Sequence, residues 1–200
     1  MENLFNKILS HASAEEKATP AKTPGLRPLA LMPRTVRLLP EVPRRWSAVE
    51  EQLVNALRPV VTGSAPWPVL LTGAPGSGKT SAGLALCDIS RTAIYLTVEE
   101  LLDAVMGRGR LEQAELWKRI EEKDLVVLDE LGCRSTLTDL EYSAVKRVLD
   151  IRETLHARCL VAIANVEPDH LVKLYDRRIH SRLTCGLVYQ MKQGDRRLTG

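Results

Sequence analysis

Aromatic residues are scarce in this sequence: one Phe, four Tyr and three Trp make up 4% of its 200 residues. A protein that gripped nucleic acid by stacking bases would have few platforms here, so in any contact with a polyanion stacking should contribute less than phosphate contacts. Long apolar runs are missing too. No stretch approaches the roughly 18 residues that a membrane-spanning helix requires, which excludes such a span. The opening residues, MENLFNKILSHASAEEK, mix acids with bases and lack the apolar stretch of a secretory signal, so a cytoplasmic protein is expected. Cysteine is sparse: Cys87, Cys133, Cys159 and Cys185 stand 46, 26 and 26 residues apart, with no C-x-x-C pair and no histidine at ligand spacing. That spacing argues against zinc and fits reduced, buried thiols.

What is present is enough for one core. A chain of 200 residues that is 44% apolar and 26% charged makes one folded domain with a short appendage. The net charge of +3 is unevenly spread. Residues 1–45 hold 8 Lys and Arg against 4 Asp and Glu, residues 46–170 hold 13 against 19, and residues 171–200 hold 7 against 2. Basic ends around an acidic middle suggest contact with single-stranded DNA or another polyanion, although a solvated surface has the same pattern.

Nine of the eleven prolines fall within the first 68 residues, so residues 1–45 read as a Pro-rich basic arm. Leu4, Phe5, Ile8 and Leu9 fall on one side of a short helical turn there, as a partner-docking peptide would have them. The folded domain, residues 46–200, is expected to begin near Trp46, with a capping box at Ser47-x-x-Glu50 followed by Leu53, Leu57 and Val60 at helical spacing. Short apolar strands then alternate with helical patterns. Strands are predicted at 69–72, 92–98, 125–128, 160–164 and 186–191, and helices at 79–87, 99–106, 111–122 and 137–155. Such alternation predicts an α/β fold with a five-stranded parallel sheet covered by helices on both faces.

Two motifs carry chemistry. Residues 73–80 read Gly73, Ala74, Pro75, Gly76, Ser77, Gly78, Lys79 and Thr80, a G-x-x-x-x-G-K-[ST] phosphate loop between a strand and a helix. Glycines let the backbone curl so that its N–H groups face a phosphate at the positive end of the helix. Lys79 then places a point charge on the β and γ oxygens of ATP, and the Thr80 hydroxyl becomes a ligand for Mg²⁺. The second motif, DLVVLDE, runs four apolar residues into Asp129 and Glu130 at the carboxyl end of a strand, where open parallel sheets bind ligands. Asp129 is expected to hold the Mg²⁺ hydration shell and Glu130 to polarise an attacking water. Asn165, which ends the strand at 160–164, can orient that water; asparagine also suits a plain turn there.

GAPGSGKT, DLVVLDELG, the IAN at 163–165 and the tail YDRRIHSRLTCGLVYQMKQGDRR come in an order and spacing that resemble the DnaC/IstB-like AAA+ ATPases, which are helicase loaders and transposition helper proteins. The resemblance spans about residues 68–197 and implies a P-loop NTPase of the AAA+ type without a full C-terminal lid domain. It also implies ATP hydrolysis, an ATP-dependent oligomer, single-stranded DNA, and a replicative helicase or transposase-type partner. By the same resemblance Arg182, or else Arg178, would be a finger reaching a neighbouring subunit's γ-phosphate, and Arg197 or Arg196 a second γ-phosphate sensor. Each of these arginines can equally be a solvated surface residue. One departure bears on the partner: several loaders carry a folded N-terminal module, sometimes zinc-binding, whereas this chain has no cysteine before Cys87. Two other classes remain open at this level, a small P-loop kinase and an ATP-dependent adaptor that barely turns over.

Overall fold

The computed structural model describes residues 51–107, 109–133, 136–154 and 159–192. The arm at 1–45, the capping box at Ser47 and Glu50, and Arg196 and Arg197 lie outside the described residues. Among the described residues, five strands and seven helices follow one another as α1 (Glu51–Val61), β1 (Val69–Gly73), α2 (Lys79–Ile89), β2 (Ala93–Thr97), α3 (Val98–Met106), α4 (Arg110–Glu122), β3 (Leu125–Leu131), α5 (Asp139–Thr154), β4 (Cys159–Ala164), α6 (Pro168–Tyr175), α7 (Arg177–Thr184) and β5 (Leu187–Met191).

All strand pairs are parallel, in the spatial order β2-β3-β4-β1-β5. The three central strands are almost continuously buried, as strands covered on both faces must be, while the two edge strands are mostly partly or fully exposed, with only Ile94 and Met191 buried. Their residues divide by the period of two. Val69, Leu71, Leu125, Val127, Cys159, Val161 and Ile163 pack with α1 and α2 on one face. Leu70, Val126, Leu128, Leu160, Ala162 and Ala164 pack with α3 to α7 on the other. Helix α2 lies close to its face: a Cβ on Gly83 would stand 2.8 Å from Ile163 Cδ1 and 3.0 Å from Val127 Cγ1.

The expected sheet and helices are found, with boundaries moved by local hydrogen bonds. At 92–98 the strand stops at Thr97 because Thr97 and Glu100 form a capping box, Glu100 N–H donating to Thr97 Oγ1 at 3.0 Å and Thr97 N–H to Glu100 Oε2 at 2.8 Å. Helix α5 starts at Asp139 and not at Leu137, since Thr138 Oγ1 accepts from Glu141 N–H at 3.1 Å. The sequence patterns assigned no helices to 168–184, where α6 and α7 stand. Asp176 caps α7 by accepting from the N–H groups of Arg178 and Ile179 at 2.8 and 2.9 Å.

The strand at 125–128 runs on to Leu131, through an irregularity that matters for the site. Leu128 pairs with Ala162 and Leu131 with Ala164, so Asp129 and Glu130 together oppose the single residue Ile163. This is a β-bulge, and Glu130 adopts φ 66° within it. Leu131 consequently returns to the face of Val126 and Leu128, which unbroken alternation would have given to residue 130. Asp129 keeps its place in the alternation of Leu125 and Val127 and is buried, while Glu130 is pushed out of the sheet face and exposed.

Candidate nucleotide-binding site

The carboxyl edge of the sheet collects the chemistry-bearing residues. Strand β4 lies between β3 and β1, so Asn165, just past its end, is flanked by the acids of β3 on one side and the phosphate loop after β1 on the other.

The loop leaves β1 at Gly73, whose φ of 134° is closed to L side chains and where a Cβ would sit 2.7 Å from the Met191 carbonyl of β5. It enters α2 through Gly78, at φ 98°, and no side chain caps that helix start. The amides of the first turn are left to whatever occupies the loop, at the positive end of the helix dipole. Lys79 is 4% exposed, and its ammonium is held by the Gly73 carbonyl at 2.7 Å, the Ala74 carbonyl at 2.8 Å and Ser77 Oγ at 3.5 Å. A buried ammonium needs such acceptors. The loop therefore keeps its cation aimed across its own mouth, where phosphate oxygens can take over from the carbonyls.

Asp129 is tied from three sides. Thr80 Oγ1 donates to its Oδ2 at 2.7 Å, the Tyr95 hydroxyl donates to the same oxygen at 2.8 Å, and the Glu130 N–H donates to Oδ1 at 2.6 Å. Thr80 and Asp129 thus bring a hydroxyl and a carboxylate oxygen within hydrogen-bond distance of each other beside the phosphate loop. That donor set fits Mg²⁺, a hard cation that takes few protein oxygens and completes its shell with phosphate and water. Among the described residues no group of three or more His, Cys, Asp and Glu forms a closed metal cage.

Glu130, though exposed, has a carboxyl raised above the ordinary glutamate range, first by partial desolvation at the edge of the sheet and then by the negative charges of Asp129, Glu99 and Glu100. A base with a raised pKa accepts a proton from water more readily than an ordinary carboxylate. Asn165 is exposed and donates from Nδ2 to Cys133 Sγ at 3.2 Å.

The arginines of α7 sit differently. Helix α7 leads directly into β5, and Leu187 N–H donates to the Pro68 carbonyl at 2.9 Å, just before β1 begins. The carboxyl end of α7 is therefore at the amino edge of the sheet. Arg182, in its last turn, lies toward the edge opposite the chain's own phosphate loop and pairs with Asp150 and Glu153 of α5. Arg178, one turn earlier, is exposed. The structure accordingly brings Lys79, Thr80, Asp129, Glu130 and Asn165 to one edge and leaves Arg182 and Arg178 outside that cluster.

Tyr95 is the site residue that sequence patterns missed. A tyrosine in an apolar strand reads as core, and nothing in AIYLT marks its hydroxyl as facing an acid on the next strand.

Comparison with known proteins agrees with this fold. The chain resembles in fold the AMPPCP-bound DnaA of Aquifex aeolicus (TM-score 0.54, 19% identity, 64% of this chain and 41% of that one). It also resembles the DnaC helicase loader (TM-score 0.52, 16% identity, 62% and 77%) and DnaI (TM-score 0.60, 18% identity, 74% and 90%). At these identities the likeness speaks for the fold, and the chain spans under half the length of the DnaA it matches. A search of curated proteins finds no match. The family model for the ATPase family associated with various cellular activities (AAA) matches residues 69–187, from the first residue of β1 to the first of β5. Having this model over more than half its length and the phosphate loop and paired acids in their places on the sheet, the chain belongs to the AAA family.

Proposed function

We propose that this protein hydrolyses ATP and uses the cycle to load or tether a replicative helicase or a transposition protein on DNA. The observation that carries the hydrolytic reading is the bulge at Asp129–Glu130, which buries one carboxylate beside Thr80 and exposes the next with a raised pKa. Two acids with such unlike environments suit two tasks, holding charge and taking a proton.

In this reading the loop amides and Lys79 bind the phosphates, and the ammonium moves from the Gly73 and Ala74 carbonyls to the β and γ oxygens. Thr80 and Asp129 hold Mg²⁺, which when bound neutralises charge developing on the phosphate oxygens. Glu130 withdraws a proton from the attacking water, and Asn165 orients that water or the γ-phosphate. A neighbour's Arg182 completes the site, with Arg178 as the second candidate for that role. Arg196 and Arg197 remain proposals from sequence alone.

The DNA and partner reading draws on the fold neighbours, which include a replication initiator DnaA bound to AMPPCP and single-stranded DNA, and on the net charge of residues 171–200. The test measures phosphate release by the full chain without any acceptor, with and without single-stranded DNA, and retention of partners in ATP against ADP. Release that rises with DNA supports the proposal. Transfer seen only with an added acceptor would make the protein a kinase, and nucleotide-dependent partner binding without turnover would make it an adaptor.

A further inference from the structure

Tyr95 stands on β2 level with Val127 of β3, two residues before the level of Asp129. Side chains two apart on a strand share a face, and Tyr95 packs on the same face of the sheet as Val127, under α2. Two residues along a strand are about 6.6 Å, roughly the reach of a phenol from Cα to hydroxyl. A tyrosine at this register therefore carries its hydroxyl up to the carboxylate of Asp129, whereas serine or threonine would fall short and phenylalanine would bring no donor.

The acceptor sites of Asp129 can be counted. A carboxylate offers about four lone-pair positions. On Oδ2 both are taken, by Thr80 at 2.7 Å and Tyr95 at 2.8 Å; on Oδ1 one is taken, by the Glu130 N–H at 2.6 Å. Asp129 as a whole is 3% exposed, so its carboxylate has little bulk water to turn toward.

We propose that Tyr95 is a positioning residue for Asp129, filling Oδ2 together with Thr80 so that the remaining acceptor on Oδ1 is the one presented to the hydration shell of Mg²⁺. The inference rests on the nucleotide reading of the site. A purely packing role for Tyr95 would need only the ring.

The test titrates Mg²⁺ into the full chain with a fluorescent, non-hydrolysable ATP analogue, and compares wild type with Tyr95→Phe. The Mg²⁺ concentration for half-maximal tightening should rise about tenfold, as for other residues that support a metal ligand from behind. Affinity for the analogue in EDTA should stay unchanged. Tyr189→Phe, which removes a hydroxyl from the same face at the opposite edge strand, should leave the titration as it was. In an Asp129→Asn background Tyr95→Phe should add no further shift, because the hydroxyl acts through that carboxylate. An unchanged Mg²⁺ titration in Tyr95→Phe overturns the inference. So does an equal loss of affinity with EDTA and with Mg²⁺, or an additive shift in the Asp129→Asn background. Wild-type protein that binds no analogue under either condition would sink the nucleotide reading itself and the inference with it.

Discussion

Arg182 donates to Asp150 Oδ1 at 2.5 Å and pairs with Glu153 Oε2 at 2.9 Å, bracing α7 against the carboxyl-terminal half of α5. These groups are a third or more exposed, so the pairs add at most about 1 kcal/mol to stability. Arg182→Ala should therefore fold and bind ATP nearly as wild type does, yet hydrolyse slowly if the guanidinium serves a neighbour. Mixing it with Lys79→Ala, which keeps Arg182 but lacks a working loop, should recover part of the phosphate release, increasingly with total concentration. Alone, Arg182→Ala should be slow and Lys79→Ala inactive. A strut role predicts the opposite pattern: no recovery on mixing, and an equal loss in an Asp150→Ala, Glu153→Ala double variant. Arg178→Ala would then be the next variant to mix.

Glu130 makes a pH prediction with a definite sign. Its carboxyl is raised, so the ionised form that can accept a proton is lost as pH falls through a value above the ordinary glutamate pKa of about 4.3. Phosphate release should decline on the acid side at that higher pH. Glu130→Gln should remove this limb, keep ATP binding and lower the rate by about 10² or more. The stability term runs the other way. A carboxyl with a raised folded-state pKa disfavours the fold when ionised, and the penalty is relieved as pH drops through the folded value. At neutral pH, then, Glu130→Gln should melt no lower than wild type. A slow variant that also melts well below wild type would mean that the side chain supports the fold and the rate loss is indirect.

The same residue shows what the sequence could and could not carry. DLVVLDE reads as a strand ending in acids because a parallel strand covered on both faces is a continuous apolar run, and GAPGSGKT reads as a phosphate loop because its glycines have a mechanical reason. The bulge has no such mark, since φ 66° at a glutamate is a tertiary outcome that no propensity favours. Helix α7 was invisible for a related reason: in RRIHSRLT only Ile179 and Leu183 are buried, too few for a periodic signal. Tyr95 and Asp129 meet only through strand pairing, 34 residues apart in sequence.

Backbone strain at the bulge is testable by removing the side chain. A left-handed conformation costs a non-glycine residue about 1–2 kcal/mol, and the exposed Glu130 side chain buries little in return. Glu130→Gly should melt at or above the wild-type temperature while losing ATP turnover. A clear drop in melting temperature would show that the glutamate side chain holds the bulge together.

Two glycines should respond unequally to alanine. At Gly83 the new methyl meets the side-chain ends of Ile163 and Val127 at 2.8 and 3.0 Å, an overpacking that costs about 1–3 kcal/mol as the side chains shift. At Gly73 it meets the backbone carbonyl of Met191 at 2.7 Å in a conformation closed to alanine, so β5 itself has to move. Gly73→Ala should lose nucleotide affinity as well as stability, because the same residue supplies a carbonyl to Lys79; Gly83→Ala should lose mainly stability. Denaturant midpoints alongside nucleotide titrations separate the two, and equal losses of affinity would refute the distinction.

Arg152 carries the largest stability prediction. A helix arginine ordinarily reads as solvated, but this one is 5% exposed and its guanidinium spans the amino edge of the sheet. Nη1 donates to the carbonyls of Ile120 and Lys123 at 3.0 and 2.9 Å, and Nη2 to those of Asp124 and Cys159 at 2.9 and 2.8 Å. One fork thus ties the end of α4, the entry to β3 and the start of β4 to α5. Arg152→Met would match the length of the chain but take the guanidinium from four carbonyls; the Asp124 carbonyl keeps the Cys159 N–H at 3.0 Å, but the loss of four buried hydrogen bonds at once should still cost about 3–5 kcal/mol. Arg152→Lys keeps the charge and up to three donors but not the planar fork, so its loss should fall between those of Met and wild type. Because the phosphate loop lies at the opposite edge, nucleotide at saturating concentration should restore part of the lost stability through binding to the folded state alone. Urea unfolding of the three proteins, with and without nucleotide, reads all of this. An Arg152→Met protein within about 0.5 kcal/mol of wild type would show that the four carbonyls find water instead and that the fork is dispensable.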